Sequence, residues 1–557
     1  MKVIIIGAVA GGANTATRLR RLDENAEIII FERRNLISYA ACGLPYFIGG
    51  KIAESDALAL HSPQSLHKRY NLDVRINSEV TSIDRFHKTV TVNDMGKGKE
   101  YAESYDKLVI ATGANPIRPP IPGIGSERVF TLRTIPDAQK IKAFACGKAV
   151  KSAMIIGGGG IGLELAENLK ALNLDVTIVE LADHLLAQLD FDMASFVHDY
   201  ARAQGIKLIT GNGVKSLEEG EGGLTARLDE GEAKAGMAIM CTGVRPDSFL
   251  AKEAGLVLGE RGAIAVNKQM RTSDPDIYAV GDVAQTYNFI TGKAVNIALA
   301  GPAARQACVA ANDIAGVRGE YGGTLGTGIV KFFGMTIAFT GLSEREAAQN
   351  GIDYDKIFIT QKQHAEYYPG ACEINLKVVF DRTNGKILGA QVIGEDGADK
   401  RCDVLAMAIR MGATAADLEA VDLAYSPPYS SPKDPVNTAG QVIDNVLKKG
   451  VDLFNWNDVG TIPKDGGVTL LDVRKTQNDG HGTIDGFKNV PLDSLRDEAN
   501  LLDREKPVYI HCKDGKQSYV AARILRQRGF SVKSLSGGIT VYSSTRRNRY
   551  RTRGKSK

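Results

Sequence analysis

The chain has 557 residues, 43% apolar and 24% charged. At roughly 150 residues per domain this predicts three or four domains, and it excludes a mainly disordered, collagen-like or disulfide-stapled chain. Net charge is +4, but seven basic residues and no acid fall within residues 546–557, so the remaining body is slightly acidic. That tail reads as a disordered, solvated end, and a nucleic-acid partner is not expected. The seven cysteines, at 42, 146, 241, 308, 372, 402 and 512, form no C-x-x-C pair, which points to a reducing cytoplasm rather than a disulfide framework. The apolar run near the N-terminus is too short for a signal peptide, and no stretch reaches the ~20 apolar residues of a membrane span.

In chain order, residues 2–6 form a β-branched run that predicts a strand. Gly7-Ala8-Val9-Ala10-Gly11-Gly12 follows, then a helix to Leu22, then a strand over 28–31 that ends at Glu32. The same grammar returns at 153–156. There a strand runs into Gly157-Gly158-Gly159-Gly160-Ile161-Gly162, a helix to Leu172, and a strand over 176–179 that ends at Glu180. A glycine turn feeding a helix lets the backbone approach a pyrophosphate and points free N–H groups at it, while the acid after the next strand accepts from a ribose. Two copies in full βαβ context predict two bound dinucleotides, although Val9 replaces the middle glycine of the first. Glu180 favours NADH over NADPH, because a 2′-phosphate would be repelled.

Ala111-Thr112-Gly113 follows a strand between the two copies, Thr242-Gly243 follows the second, and Gly281-Asp282 ends a further strand. These predict one nucleotide fold (1–115 and 245–324) interrupted by another (116–244). From 325 to 445, strands near 330–333, 336–340, 357–360, 376–380 and 388–393 with a helix over 404–411 predict an α+β domain. Residues 446–463 read as a polar connector. Residues 464–545 form a compact α/β segment, with strands at 469–473, 508–511 and 532–535 and a helix over 518–528.

Residues 1–445 resemble the single-cysteine flavin disulfide reductases, a group that includes coenzyme A-disulfide reductases, NADH oxidases and NADH peroxidases. The motifs are G-A-V-A-G-G, C-G-L-P-Y at Cys42, A-T-G, I-G-L-E, G-V-R-P, Y-A-V-G-D and Y-Y-P-G-A. The resemblance implies FAD on the first fold, held by the Gly7–Gly12 turn, Glu32, Arg33, Ala111–Gly113 and Asp282. It implies NADH or NADPH on the second, held by the Gly157–Gly162 turn, Glu180 and Gly243. It implies Cys42 as the redox centre. Position 47 is Phe, so Cys42 lacks the second cysteine of two-cysteine relatives. It is expected to work through a mixed disulfide with a small thiol or a sulfenic acid, with a depressed thiol pKa. The other cysteines of residues 1–445 are expected to be inert.

The resemblance to coenzyme A-disulfide reductases extends to Asn14, Arg18, Arg21 and Ser38 as coenzyme A contacts. Tyr367 and Tyr425 match tyrosines that reach the cysteine of a partner subunit, and Lys433 matches a substrate contact. The implied unit is a homodimer. Three positions depart from the pattern: Ala41 where Asn is usual, Gly160 where an aromatic shields the flavin, and Ala304 within G-P-A-x-R.

Residues 464–545 resemble a rhodanese domain, with Leu471-Asp472-Val473-Arg474, Asn489-Val490-Pro491-Leu492 and the Cys512 loop Lys513-Asp514-Gly515-Lys516-Gln517-Ser518. Loop N–H groups, with Lys513 and Lys516, are expected to stabilise a Cys512 thiolate or persulfide. The expected fold class is therefore α/β: two nested Rossmann-like domains, an α+β dimerisation domain and a C-terminal rhodanese domain. The expected function is an FAD-dependent NAD(P)H reductase of persulfides or polysulfides, with coenzyme A as substrate or tethered carrier. Coenzyme A-disulfide reductase and NADH oxidase or peroxidase are the alternatives.

Overall fold

The structure, a computed structural model, describes residues 1–147, 149–259, 261–477 and 480–553. They divide into two compact units, one of residues 1–179 and 213–324, the other of 180–212 and 325–557.

In the first unit, strand Lys2–Ile6 lies between Glu27–Phe31 and Lys107–Ile110, and Ile277–Ala279 and Asp73–Arg75 complete a parallel sheet. A parallel sheet covered on both faces needs strands that are apolar throughout, which Val3, Ile4, Ile5 and Ile6 supply, all buried. Helix Ala10–Leu22 buries Ala13, Ala16 and Leu19. A second parallel set is built the same way from Asp175–Glu180, Ser152–Ile156, Met237–Met240 and Val129–Thr131, with helix Gly160–Ala171 opening at the second glycine turn.

The second unit contains an antiparallel sheet in the order Gly328–Phe332, Met335–Gly341, Ile387–Gly394, Glu373–Asp381, Tyr354–Lys362. Every strand expected between 325 and 445 is present, extended by one to three residues at most ends. Helix Ala398–Met411 covers the longer span that contains the expected 404–411. A separate parallel sheet has the order Asp452–Phe454, Val532–Leu535, Val508–His511, Thr469–Asp472, Lys488–Asn489. The mixed α/β architecture expected from the sequence is the one observed.

Two local expectations are corrected. The segment 446–463 is not merely a polar connector, because Asp452–Phe454 is the edge strand of the C-terminal sheet and Val451, Phe454, Val459 and Ile462 are buried. Nor is the basic end a free tail over its described part. Gly538–Arg553 is one helix that packs on Phe191–Ala203. Asn548 is buried there and donates to Ser195 O (3.2 Å) and Asp199 Oδ1 (3.0 Å), and Arg202 donates to it in turn. Arg547 pairs with Asp199 (2.7 Å), and Arg549 lies over the ring of Trp456. Arg547 and Arg549 therefore flank a buried polar seam. Residues 554–557 lie outside the described residues.

Candidate functional site

The first glycine turn is shaped for close approach. Gly7 has φ +102°, where a side chain would be strained and would meet Ala111 O. A Cβ on Gly12 would collide with the Gly7 carbonyl. Val9 caps the helix that Ala10 opens, and Gly11 packs against Val280. The buried Glu32 carboxylate accepts N–H groups from Ala8 (3.1 Å) and Arg34 (3.1 Å), which aims it at the mouth of the turn. Arg33 instead pairs with Asp247 (3.0 Å). Thr112 Oγ1 donates to Asp247 O (2.6 Å), and the next residue, Gly113, faces Arg133. Arg133 lies 3.9 Å from Asp282, whose carboxyl is raised by burial and only partly restored by that cation. A cradle that a Cβ would fill, with two partly desolvated acids beside it, fits a dinucleotide.

The second turn repeats the device. Gly157 has φ +112° and lies against Cys241 O, and Gly162 lies against Gly157 O. Around Gly159 no atom lies within 4 Å of a built Cβ, Gly160 opens the helix, and Ile161 is half exposed. Gly243 has φ +101°. The Glu180 carboxylate accepts the Ala182 N–H (2.7 Å). This turn also fits a dinucleotide.

Cys42 sits in a 3₁₀ turn, Ala41–Gly43, and is exposed. Its thiol is not depressed as expected. Partial burial of the sulfur pushes it up, and the nearby carboxylates Glu164 and Asp282 push further. The sequence shows no such acids around Cys42, since Glu164 lies 122 residues on. The short helix Leu44–Ile48 brings it there, because this helix packs on Gly160–Ala171. Ser38, at φ +44°, donates its N–H to Ala8 O (2.8 Å) and so stays beside the first turn. Asn14 and Arg21 are exposed, and Arg18 donates to Asn312 (3.0 Å). The three share one face of the first glycine helix by their i, i+4, i+7 spacing. Arg20, between them in sequence, is buried and donates to four backbone carbonyls, so it is structural.

In the second unit the hydroxyls of Tyr367 and Tyr425 lie 3.3 Å apart, and both side chains are exposed. Lys433 is also exposed. Its carbonyl accepts from Gln361 (3.1 Å) and Ser431 (2.8 Å), and the neighbouring Asp434 is locked by buried Arg401 (2.7 Å).

Cys512 is fully buried at the head of its loop. Its Sγ accepts the Gly515 N–H (3.1 Å), and its thiol lies 3.4 Å from Ser518 Oγ and 3.8 Å from Asp514 Oδ1. Ser534 in turn donates to Ser518 (2.9 Å). Burial holds the Cys512 thiol above its ordinary value. Ser518 lowers it and Asp514 raises it. The expected loop N–H is present, but Lys513 pairs with Glu373 at 2.8 Å. Ser534, the outer member of this chain, lies 22 residues from Cys512 and was not visible in the motif. Among the other thiols, burial pushes Cys241 and Cys402 up to about 12, as inert groups should be, whereas Cys146 and Cys308 are exposed.

Nested dinucleotide cradles beside a turn-borne cysteine define a flavin-type disulfide oxidoreductase. The chain belongs to the pyridine nucleotide-disulphide oxidoreductase family, which matches residues 1–307, with the dimerisation domain of that family over 327–434 and a rhodanese-like domain over 457–545. It is 36% identical over 448 residues to a coenzyme A disulfide reductase of Staphylococcus aureus (strain JH9), covering 79% of this chain and 99% of that one. The reduced CoADR-RHD of Bacillus anthracis superposes with a TM-score of 0.96 at 43% identity, covering 98% of each chain. The NAD-dependent persulfide reductase from A. fulgidus superposes with a TM-score of 0.91 at 37% identity, covering 97% of this chain and 100% of that one.

Proposed function

We propose that the protein is an NAD(P)H-dependent reductase of persulfides or polysulfides, coenzyme A persulfide included. The observation that carries this reading is the Cys512 loop. A buried sulfur facing a backbone N–H and a serine hydroxyl suits a sulfane-sulfur carrier, and it shares a chain with the Cys42 reductase body. The likeness to a persulfide reductase over nearly the whole chain supports it. In the overall reaction, one hydride from NADH and a persulfide R–S–SH leave NAD⁺, R–SH and HS⁻, which balances without another reductant. FAD bound at the first turn would supply the two-electron relay between nicotinamide and Cys42. Gly7, Gly11, Gly12, Glu32, Thr112 and Asp282 would hold it. Cys42 exchanges with the substrate sulfur, the exposed Tyr367 and Tyr425 phenols offer protons to leaving thiolates, and Cys512 supplies or accepts sulfane sulfur.

The working unit is proposed to be a homodimer in a reducing cytoplasm. The second unit carries the family's dimerisation domain and exposes Met407, Met411 and Tyr429. Among the described residues no helix is long and apolar enough to cross a membrane. A second reading, coenzyme A-disulfide reduction with an accessory C-terminal domain, is favoured by the Asn14, Arg18 and Arg21 face, whose cations suit nucleotide phosphates.

The test is anaerobic NADH oxidation with polysulfide, coenzyme A persulfide and coenzyme A disulfide offered separately, with sulfide and thiol assayed. Sulfide release that falls on some donors in Cys512→Ser supports the first reading. Turnover with coenzyme A disulfide alone, unchanged by Cys512→Ser, supports the second. Turnover only when oxygen is admitted moves the protein to the oxidases.

A further inference from the structure

The helix that follows Cys42 is tied to the helix that follows the second glycine turn by three side-chain contacts. The Tyr46 phenol donates to Glu164 Oε1 (3.4 Å), Lys51 pairs with Glu167, and Gly49 seats against the side chain of buried Asn168. The amide of Asn168 donates back to Glu164 O (2.7 Å), leaving its buried Oδ1 without a partner. The contacts form a braced junction, and Glu164 is the member whose charge reaches the cysteine.

We propose that Glu164, held by Tyr46 across this junction, is a positioning residue that sets the protonation state of Cys42. The inference rests on the reading of Cys42 as the redox cysteine. Burial pushes the Glu164 carboxyl up to about 7, with Tyr46 opposing and the neighbouring Glu167 charge adding to the rise. Below that pH Glu164 is neutral and leaves Cys42 alone. Above it, the carboxylate opposes ionisation of the thiol. Helix Ile135–Ala145 also packs on Leu44–Ile48 and sets Lys142 over the Phe47 ring, 4.1 Å from its centre. Glu167 is engaged by Lys51, Tyr46 is itself raised to about 12, and Asp282, partly offset by Arg133, is the other acid felt at Cys42. The helix that carries Glu164 begins at the candidate nicotinamide turn, so the same element meets the cofactor site at its N-terminus and, one turn further on, the helix that follows Cys42 through Tyr46.

The test is the pH profile of Cys42 alkylation by iodoacetamide in the flavin-loaded enzyme, followed on the Cys42 peptide by mass. It needs no turnover and no sulfur substrate. The native profile is expected to bend near pH 7, where Glu164 ionises. Glu164→Gln should lose the bend and alkylate roughly three- to tenfold faster at pH 8, the equivalent of about half to one pKa unit. Tyr46→Phe should move the bend to higher pH, because the lost phenol hydrogen bond had favoured the carboxylate. A Glu164→Gln profile superimposable on the native one overturns the inference. So does a bend that stays in place in Tyr46→Phe, which decides the matter if Glu164→Gln does not fold. If the profiles behave as expected yet no sulfur substrate is reduced, the functional reading fails and the role of Glu164 stands.

Discussion

Replacing Ser518 by alanine should slow every reaction of Cys512 that requires the thiolate. In the thiol form the S–H points at Ser518 Oγ (3.4 Å), and the Ser518 hydroxyl donates to Gly515 O (3.1 Å). On ionisation that hydroxyl can turn to donate to sulfur, which is why it lowers the thiol against the rise due to burial. A hydrogen bond to a charged group contributes about 1.5–3 kcal/mol, or roughly one to two pKa units. Below the thiol's pKa the thiolate fraction, and with it alkylation at fixed pH, should therefore fall roughly ten- to a hundredfold. Ser518→Ala also strips Ser534 of its acceptor, a buried loss of about 1–3 kcal/mol in stability. Ser534→Ala serves as the control, since it removes the orphan and keeps the contact to sulfur. Asp514→Asn should act with the opposite sign: it removes the charge 3.8 Å from Sγ while Oδ1 still accepts the Lys516 N–H (3.0 Å). The assay is the pH–rate profile of Cys512 alkylation, beside transfer of sulfur from thiosulfate to cyanide. If Ser518→Ala leaves the profile unchanged, or both variants move it the same way, the electrostatic account of the loop is refuted.

Lys377 is fully buried beneath Asp190, Asp192 and Glu344, each 2.9 Å away. Burial alone would lower its pKa, but the carboxylates hold it above its ordinary value, and it holds Asp190 and Glu344 below theirs. Since their folded pKa values are depressed, the stability they contribute is present above pH 4.5 and is lost as pH falls through the lowered values. Lys377→Met should cost about 3–5 kcal/mol near neutrality and flatten that acid limb in urea melts taken from pH 7 to 3; an unchanged limb would show that the cluster is not coupled to folding. Asn548→Leu, which strips the seam under the C-terminal helix, should lower stability by about 2–4 kcal/mol in the same melts, and no shift would mean that the helix does not dock in solution. Glu180→Ser should raise the NADPH:NADH preference in kcat/KM by roughly tenfold through loss of like-charge repulsion, and an unaltered ratio would place the 2′-position away from Glu180.

Local pattern was enough for the framework. Two glycine turns between β-branched strands and helices, five strands after residue 325, and a cysteine loop between a strand and a helix each follow from spacing and residue type, because the residue patterns that specify them are local, even where the packing that enforces them, Ala111 on Gly7 and Cys241 on Gly157, is distant in sequence. The family motifs around Cys42 were legible for the same reason. What lay beyond reach was every property set by a distant partner. The thiol of Cys42 is raised rather than depressed, by burial first and then by Glu164 and Asp282, which lie 122 and 240 residues away and fold toward it. Lys513 looks like a cation for Cys512, but its ammonium is held by Glu373, 140 residues earlier. The basic end reads as solvated by charge count alone, yet its helix buries Asn548 against Asp199 and Ser195 while Arg546, Arg547 and Arg551 stay exposed. Charge and period are local quantities and specify where a chain turns and which face it hides. The protonation of a buried group depends on the summed field and desolvation of whatever packs around it, and only the tertiary structure decides that.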